Sequence, residues 1–131
     1  MDRLKTGMTG IAELVVGTND TAPKVGSGHI AVLATPVMIN LAEESALDAI
    51  EAHLSAGKQS LGTLVNISHI AATPIGMKVL AEAKLTKIDG RLLEFSILVR
   101  DEHEIIGKGQ HMRVVVTADR FQKRVDEKAN R

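Results

Sequence analysis

The 131-residue sequence contains no cysteine, no tryptophan and no tyrosine, and it has only two phenylalanines. The absence of cysteine excludes disulfides, thiolate metal sites and cysteine nucleophiles. The five histidines show no ligand spacing such as HExxH, so we expect no metal site. Sixteen basic residues balance sixteen acidic ones, which leaves no overall field to recruit nucleic acid or an anionic membrane.

Long apolar runs are also missing from the chain. The stretch MDRLKTGMTG has no apolar core of signal-peptide length, and no run approaches the roughly 20 residues that span a bilayer. We therefore expect a cytoplasmic protein with no membrane partner. The composition is 44% hydrophobic and 24% charged, which suits a single globular domain over residues 1–131.

Hydrophobic periodicity divides the chain into an early helix and a later series of strands. GIAELVV at 10–16 favours a strand, residues 17–28 a loop, and HIAVLA at 29–34 a second strand or strand-like segment. Thr35–Pro36 predicts the start of a helix that reaches about Leu54, because threonine caps free amides and proline suits the first turn. Four segments with strand character follow, at 59–72, 76–88, 91–100 and 104–117.

An early helix followed by antiparallel strands predicts an α+β fold in which the helix covers the inner face of the sheet. Asp89–Gly90 indicates a tight hairpin turn, because both residues tolerate positive φ. Around Val79 apolar residues alternate with charged ones, as in a sheet with one solvated face. The charged tail, about 119–131, should be frayed or solvated.

Two adjacent glutamates in the predicted helix cannot share one environment, because a helix turns about 100° per residue. On a helical wheel Glu44 lies with Asn40 and Asp48 on the polar face, whereas Glu43 lies with Ile50 in the apolar stripe. Burying an unpaired carboxylate is costly, so Glu43 needs a hydrogen-bond donor or a cation beside it. It is either a structural ion-pair residue or a catalytic carboxylate.

The stretch LVNISHIAATPIG departs from the composition of a plain core strand. His69 lies in an apolar strand near Asn66 and Ser68, and it is either a satisfied structural histidine or a proton-transfer group. Helix capping alone explains Thr35, although a hydroxyl there could also orient water or a carbonyl. Gly62 marks a bulge or a close approach of a ligand to the backbone.

Three segments, ATPVMINLAEESALDAI, GTLVNISHIAATPIGM and KGQHMRVVV, resemble in order and spacing the hot-dog-fold thioesterases of the fluoroacetyl-CoA thioesterase type. The similarity extends over about residues 8–117. It implies a helix wrapped by a curved antiparallel sheet, and a homodimer whose sheets join edge to edge with the sites at the dimer interface. It also implies hydrolysis of an acyl-CoA, with coenzyme A as part of the substrate and no separate cofactor; a higher homo-oligomer is compatible with it.

The resemblance assigns roles to individual residues. The catalytic threonine, glutamate and histidine of the family correspond by motif position to Thr35, Glu43 and His69. The glycine whose backbone amide faces the thioester carbonyl corresponds to Gly62.

Substrate binding falls to other positions under the same resemblance. Arg113 corresponds to the arginine that contacts coenzyme A, and Asn66 in the GTLVNISH motif is expected to contact the substrate. Lys108 either serves the phosphates of coenzyme A or belongs to a solvated strand edge. The remaining histidines are interpreted as surface, loop or sheet residues, although His111 would share a strand face with Arg113.

The sequence departs from the family just before its ATP motif. Fluoroacetyl-specific members carry aromatic residues there that form an apolar lid over the acyl group, whereas this chain reads VGSGHI. A small or medium acyl-CoA is therefore the expected substrate. Two other functions stay open: a hot-dog hydratase or dehydratase, although its usual Asp-containing catalytic segment is missing, and a non-catalytic acyl-CoA-binding protein.

Overall fold

The computed structural model describes residues 3–131. Its strands are β1 (Thr9–Val15), β2 (Lys58–His69), β3 (Lys78–Asp89), β4 (Leu92–Arg100) and β5 (Ile105–Thr117). Its helices are α1 (Ala22–Val25), α2 (Thr35–Ile50) and α3 (Ala118–Ala129), with 3-10 turns at Thr18–Asp20 and Glu51–His53. The five strands form one antiparallel sheet in the order β1-β3-β4-β5-β2, which confirms the predicted α+β architecture.

Helix α2 fills the inner side of the sheet with its apolar stripe. Its buried residues are Met38, Leu41, Ala42, Ser45, Ala46, Ala49 and Ile50. Gly10 of β1 lies so close to the backbone of Ser45 and Ala49 that any larger residue would clash. Asp48 adds a side-chain tie, since its Oδ2 accepts a hydrogen bond of 2.9 Å from the amide of Ile11. The helix is thus held close to β1 along its second half.

The sheet buries alternate residues of its central strands against α2. The buried residues are Val79, Ala81, Ala83 and Leu85 of β3 and Leu93, Phe95, Ile97 and Val99 of β4. The β3–β4 hairpin turns through Gly90 and Arg91, with φ of 60° at Gly90. The turn was predicted correctly in place, but its central residues lie one position later than Asp89–Gly90 because Asp89 still pairs with Leu92.

Two segments differ from their predicted structure. Residues 29–34 form no strand; the isolated bridges of Leu33 to Thr21 and of Val32 to Pro74 are their only sheet-like pairing in the described chain. Leu33 and Ala34 are buried whereas Ile30 is 74% exposed, so only the end of the apolar run packs in the core. The charged tail is a regular helix, α3, rather than a frayed end, although it is solvated as expected and buries no residue.

Strand β2 lies at one edge of the sheet, paired with β5 on one side only. Its pairing register shifts between Gly62 and Leu64, so the bulge suggested by Gly62 is confirmed. Leu64 and Val65 are 44% and 42% exposed, and the strand carries no charge between Lys58 and His69. A long, uncharged, partly apolar edge is a ready template for pairing with another chain.

Across residues 3–131, none of the helices is both long and apolar enough to cross a membrane.

Candidate active site

The two adjacent glutamates of α2 diverge as the helical wheel predicts. Glu44 is exposed, and its Oε1 accepts a hydrogen bond of 3.1 Å from Asn40 Nδ2. The side chain of Glu43 is only 36% exposed and turns toward the sheet, where its Oε2 lies 3.6 Å from Nη1 of Arg113. Glu43 therefore has the cationic partner that its position in the apolar stripe requires.

Gly62 brings the backbone of β2 against this carboxylate. A Cβ placed on Gly62 would lie 2.7 Å from Glu43 Oε2 and 3.2 Å from Cε1 of His111. Gly62 does not have a positive φ, so the close approach, and not backbone strain, explains the glycine. The bulge thus presents main-chain groups to the Glu43 carboxylate with no side chain between them.

Arg113 is almost fully buried on the inner face of the sheet, with 5% of its surface exposed. Its Nε donates to Ser60 Oγ at 2.8 Å and its Nη2 to the Ser60 carbonyl at 3.0 Å, while Nη1 lies 3.1 Å from His111 Nε2. The pKa of Arg113 is lowered, chiefly by burial, although the charges of Glu43 and Glu51 act in the opposite direction. The guanidinium is thus engaged by the protein itself, and its contact with coenzyme A stays a prediction.

Thr35 and His69 form a second polar pair at the amino end of α2. Thr35 Oγ1 lies 2.7 Å from His69 Nδ1. The residue at the N-cap is Ala34, and no side chain caps the helix, so the interpretation of Thr35 as a capping residue was wrong. Thr35 is already the first helical residue, which frees its hydroxyl to contact β2.

His69 is half-buried at the end of β2. The pKa of His69 is lowered, chiefly by burial, although a hydrogen bond with the backbone of Ala71 acts in the opposite direction. Its Nε2 is buried without a hydrogen-bond partner in the part of the chain that the structure describes. With Thr35 it borders an open pocket of about 320 Å³. The other lining residues are mostly small or apolar: Ala22, Ser27, Val32, Leu33, Ile70, Ala71 and Ala72.

The Thr35–His69 pair and the Glu43–Gly62 pair do not meet within one chain. Thr35 and Glu43 are eight residues apart on α2, about 12 Å along the helix axis. Gly62 and His69 are seven residues apart on β2, roughly 23 Å along the strand. No hydrogen bond or ion pair joins the two groups among residues 3–131.

Asn66 lies on the other face of the sheet from His69. It is exposed and pairs with Gln110 of β5, just as the neighbouring Ser68 pairs with Lys108. These four side chains border a wide groove on the outer face, so the structure does not bring Asn66 or Lys108 to Thr35 and His69. Substrate contact by Asn66 stays a prediction.

His111 is a buried polar residue that the sequence interpretation left as an ordinary sheet position. It is 0% exposed, and its ring is stacked at 28° on Phe95 with the centroids 6.1 Å apart. Its spacing of two residues from Arg113 predicted the shared face of β5, but it did not predict the contact between the two side chains. The sequence also gave no reason to single out Ser60, which holds Arg113 from β2.

Comparison with known proteins establishes the family. The model of the fluoroacetyl-CoA-specific thioesterase family matches residues 16–119. The chain belongs to this family. A fluoroacetyl-CoA thioesterase from Streptantibioticus cattleyicolor is 36% identical to it over 97 residues, which are 74% of this chain and 70% of that protein.

Solved structures agree with the family assignment. The structure of the fluoroacetyl-CoA thioesterase FlK has a TM-score of 0.90 and 30% identity, and the match covers 97% of this chain and 98% of that one. A Thermus thermophilus protein of the thioesterase superfamily has a TM-score of 0.88 at 24% identity, covering 99% and 98% of the two chains, and it shows the fold alone. The predicted resemblance and the hot-dog fold are thus confirmed, and the protein is a thioester hydrolase.

Proposed function

We propose that this thioesterase hydrolyses a small or medium acyl-CoA to the free acid and coenzyme A at a site shared by two subunits. The observation that carries the shared site is the separation of its two halves. Thr35 and His69 pair at one end of β2, whereas Glu43 lies against Gly62 near the other end. One chain cannot supply all four groups to one small thioester.

Pairing of β2 with the same strand of a second subunit would bring the two halves of the site together. In an antiparallel pair about a two-fold axis, the late end of one strand lies opposite the early end of the other. An axis close to Val65 and Asn66 brings His69 of one subunit beside Gly62 of its partner. The same pairing covers the exposed side chains of Leu64 and Val65 and satisfies the free edge of the strand.

The chemistry follows from the charge that develops in the reaction. An amide of the Gly62 bulge stabilises the oxyanion of the tetrahedral state more than the neutral carbonyl of the substrate. The Glu43 carboxylate removes a proton from water or attacks the thioester carbon itself. Thr35, held by His69, orients the water or the carbonyl. Coenzyme A thiolate is a good leaving group, so the site needs no strong general acid.

The substrate class rests on the lining of the pocket. The segment before α2 contributes no aromatic side chain, and the pocket beside Thr35 is bordered by the small residues Ala22, Ala71 and Ala72. We propose that this open lining accepts small and medium acyl groups and lacks the aromatic lid needed to select a fluorinated one. We also propose that no metal or separate cofactor takes part; no group of three or more metal-ligand side chains is found among residues 3–131.

The first experiment is release of free thiol from acyl-CoA esters of increasing chain length. Glu43→Gln keeps the shape of the side chain but removes its charge, and we expect kcat to fall at least about 100-fold. Glu44→Gln is the matched control, because the neighbouring carboxylate points to solvent. A Glu43→Gln enzyme that retains the wild-type rate would remove Glu43 from the reaction.

The second experiment tests the shared site. We expect Glu43→Gln and His69→Ala each to have little activity as homodimers, and a heterodimer of the two is purified through two different tags. If the site takes Glu43 from one subunit and His69 from the other, one of the two sites is intact and the heterodimer has about half the wild-type rate. If both residues act within one chain, every site carries a substitution and the heterodimer stays inactive.

A further inference from the structure

His111 is buried in the Glu43 half of the site, next to Gly62 and Arg113. Its Nδ1 is 2.8 Å from the carbonyl oxygen of Leu64, and its Nε2 is 3.1 Å from Nη1 of Arg113. Leu64 is the residue at which pairing resumes after the Gly62 bulge. One buried ring therefore connects the bulge of β2 to the cation that faces Glu43.

The partners of His111 determine its protonation. A carbonyl oxygen only accepts a hydrogen bond, so Nδ1 must carry the ring proton. A guanidinium only donates, so Nε2 must present its lone pair to Arg113. A second proton on the ring would remove the acceptor and set an imidazolium 3.1 Å from the Arg113 cation. Only the neutral Nδ1-protonated form fits the contacts.

The surroundings favour this neutral form. Burial lowers the pKa of His111; the hydrogen bond to the Leu64 carbonyl raises it, the charge of Arg113 lowers it, and that of Glu43 raises it. Phe95 of β4 stacks on the ring and contributes no charge. The charged groups that act on the ring are thus Arg113 on its own strand and Glu43 on α2.

We propose that His111 is a positioning residue for thioester hydrolysis: as a neutral acceptor it holds Arg113 against Glu43, and as a donor it fixes the backbone that follows Gly62. This inference rests on the proposed function of Glu43. Arg113 needs this third contact because Ser60 engages only its Nε and Nη2 edge. Without the acceptor, Nη1 is free to leave the carboxylate, and a displacement of about 1 Å at a reacting group can cost about 100-fold in rate.

Two conservative substitutions separate the two hydrogen bonds of His111. His111→Gln places an amide oxygen near the position of Nε2, where it can accept from Arg113 without ever titrating. His111→Asn is shorter; its amide can still donate to the Leu64 carbonyl but does not reach Arg113. We expect His111→Asn to lower kcat at least about tenfold with KM unchanged, and His111→Gln to lose no more than about threefold.

The pH dependence of kcat provides a further test, because a purely structural role of His111 would leave it unchanged. Protonation of His111 contributes to the acidic limb of kcat in the wild type, so that limb should become less steep in His111→Gln, which has no proton to gain. Thermal unfolding of both variants is measured alongside. If the two variants lose activity equally, or in proportion to their stability, or if His111→Asn has wild-type kcat, the positioning role is wrong.

Controls distinguish a wrong positioning role for His111 from a wrong proposed function. If the wild type hydrolyses no acyl-CoA, or Glu43→Gln is fully active, the proposed function fails first. The state of the ring is then read directly by ¹⁵N NMR of the imidazole nitrogens. A proton on Nδ1 with Nε2 unprotonated near neutral pH supports the hydrogen-bonded arrangement, and the opposite tautomer or a charged ring overturns it.

Discussion

The carboxylate of Glu43 occupies the space in which a side chain at position 62 would stand. A Cβ on Gly62 would lie 2.7 Å from Glu43 Oε2, well inside van der Waals contact. Helix α2 and the bulge of β2 are therefore fitted to each other at the point where the proposed reaction takes place. The glycine is required by the approach of a charged side chain, and this makes it a direct probe of the site.

Gly62→Ala should separate activity from folding. The new methyl group would lie 2.7 Å from Glu43 Oε2, the end of a flexible, part-exposed side chain that can move aside. It would also lie 3.2 Å from Cε1 of the buried His111 ring, which must give by a few tenths of an ångström. We expect a modest fall in the unfolding temperature, because the His111 ring must shift, and a fall in kcat of at least about tenfold, because the Glu43 carboxylate is displaced from its position. Both quantities are measured on the same preparation.

Gly17→Ala is the control for that substitution. A Cβ there would meet Asp20 Oδ2 at 3.4 Å, an ordinary contact that does not involve Glu43. Wild-type kcat in Gly62→Ala would mean that Glu43 does not act from the position seen here. A large loss of stability in that variant would instead mean that the Glu43 carboxylate or the His111 ring cannot move aside.

Substitution of Thr35 tests whether its hydroxyl takes part in the reaction. Because Thr35 does not cap α2, Thr35→Val leaves the helix end unchanged and removes only the contact with His69. We expect a stability loss of about 1 kcal/mol and a fall in kcat of at least about 100-fold. Thr35→Ser keeps the hydroxyl and should retain much of the activity. Equal rates for the serine and valine variants would assign Thr35 a packing role.

Arg113→Lys distinguishes two roles of the arginine. Lysine keeps the charge but cannot reproduce the fork that binds Ser60 and His111 together, so Glu43 loses its fixed partner. If Arg113 acts through Glu43, kcat falls for an acyl-CoA and equally for a truncated thioester that lacks the nucleotide. If Arg113 binds coenzyme A, KM rises for the acyl-CoA alone and the truncated thioester is unaffected.

Several features of the fold and site could be predicted because they depend on local periodicity. The helical wheel separates Glu43 from Glu44, and alternation around Val79 gives the buried face of β3. The contact between Glu43 and Gly62 could not be derived in this way. It depends on the bulge, and a shift of one residue decides which face of β2 meets Arg113.

Other features were hidden because one signal has two physical explanations. Thr35 before Pro36 favours a helix cap, although its hydroxyl could also orient water or a carbonyl. Only the position of β2 shows that this hydroxyl contacts His69. The apolar run at 29–34 fits a strand or a buried connection, since burial alone does not distinguish the two. His111 resembles any polar residue of a strand until Arg113 and Leu64 are placed around it.

Protein stability should fall on mild acidification because of His69 and His111. The pKa of His111 is lowered in the folded protein, chiefly by burial, and that of His69 is lowered for the same reason. Below the ordinary histidine value of about 6.5, the unfolded chain therefore binds protons that the folded chain does not. The free energy of unfolding decreases as the pH falls from about 6.5 toward the folded pKa values, by at most about 1.4 kcal/mol per pH unit for each histidine.

Urea unfolding between about pH 5.5 and 7.5, at one fixed protein concentration, measures this slope. His111→Gln removes one of the two groups, so its free energy of unfolding should depend less steeply on pH than that of the wild type. An identical slope in His111→Gln and the wild type would mean that His111 takes up its proton in the folded protein as readily as in the unfolded chain, which the buried contact with Arg113 forbids.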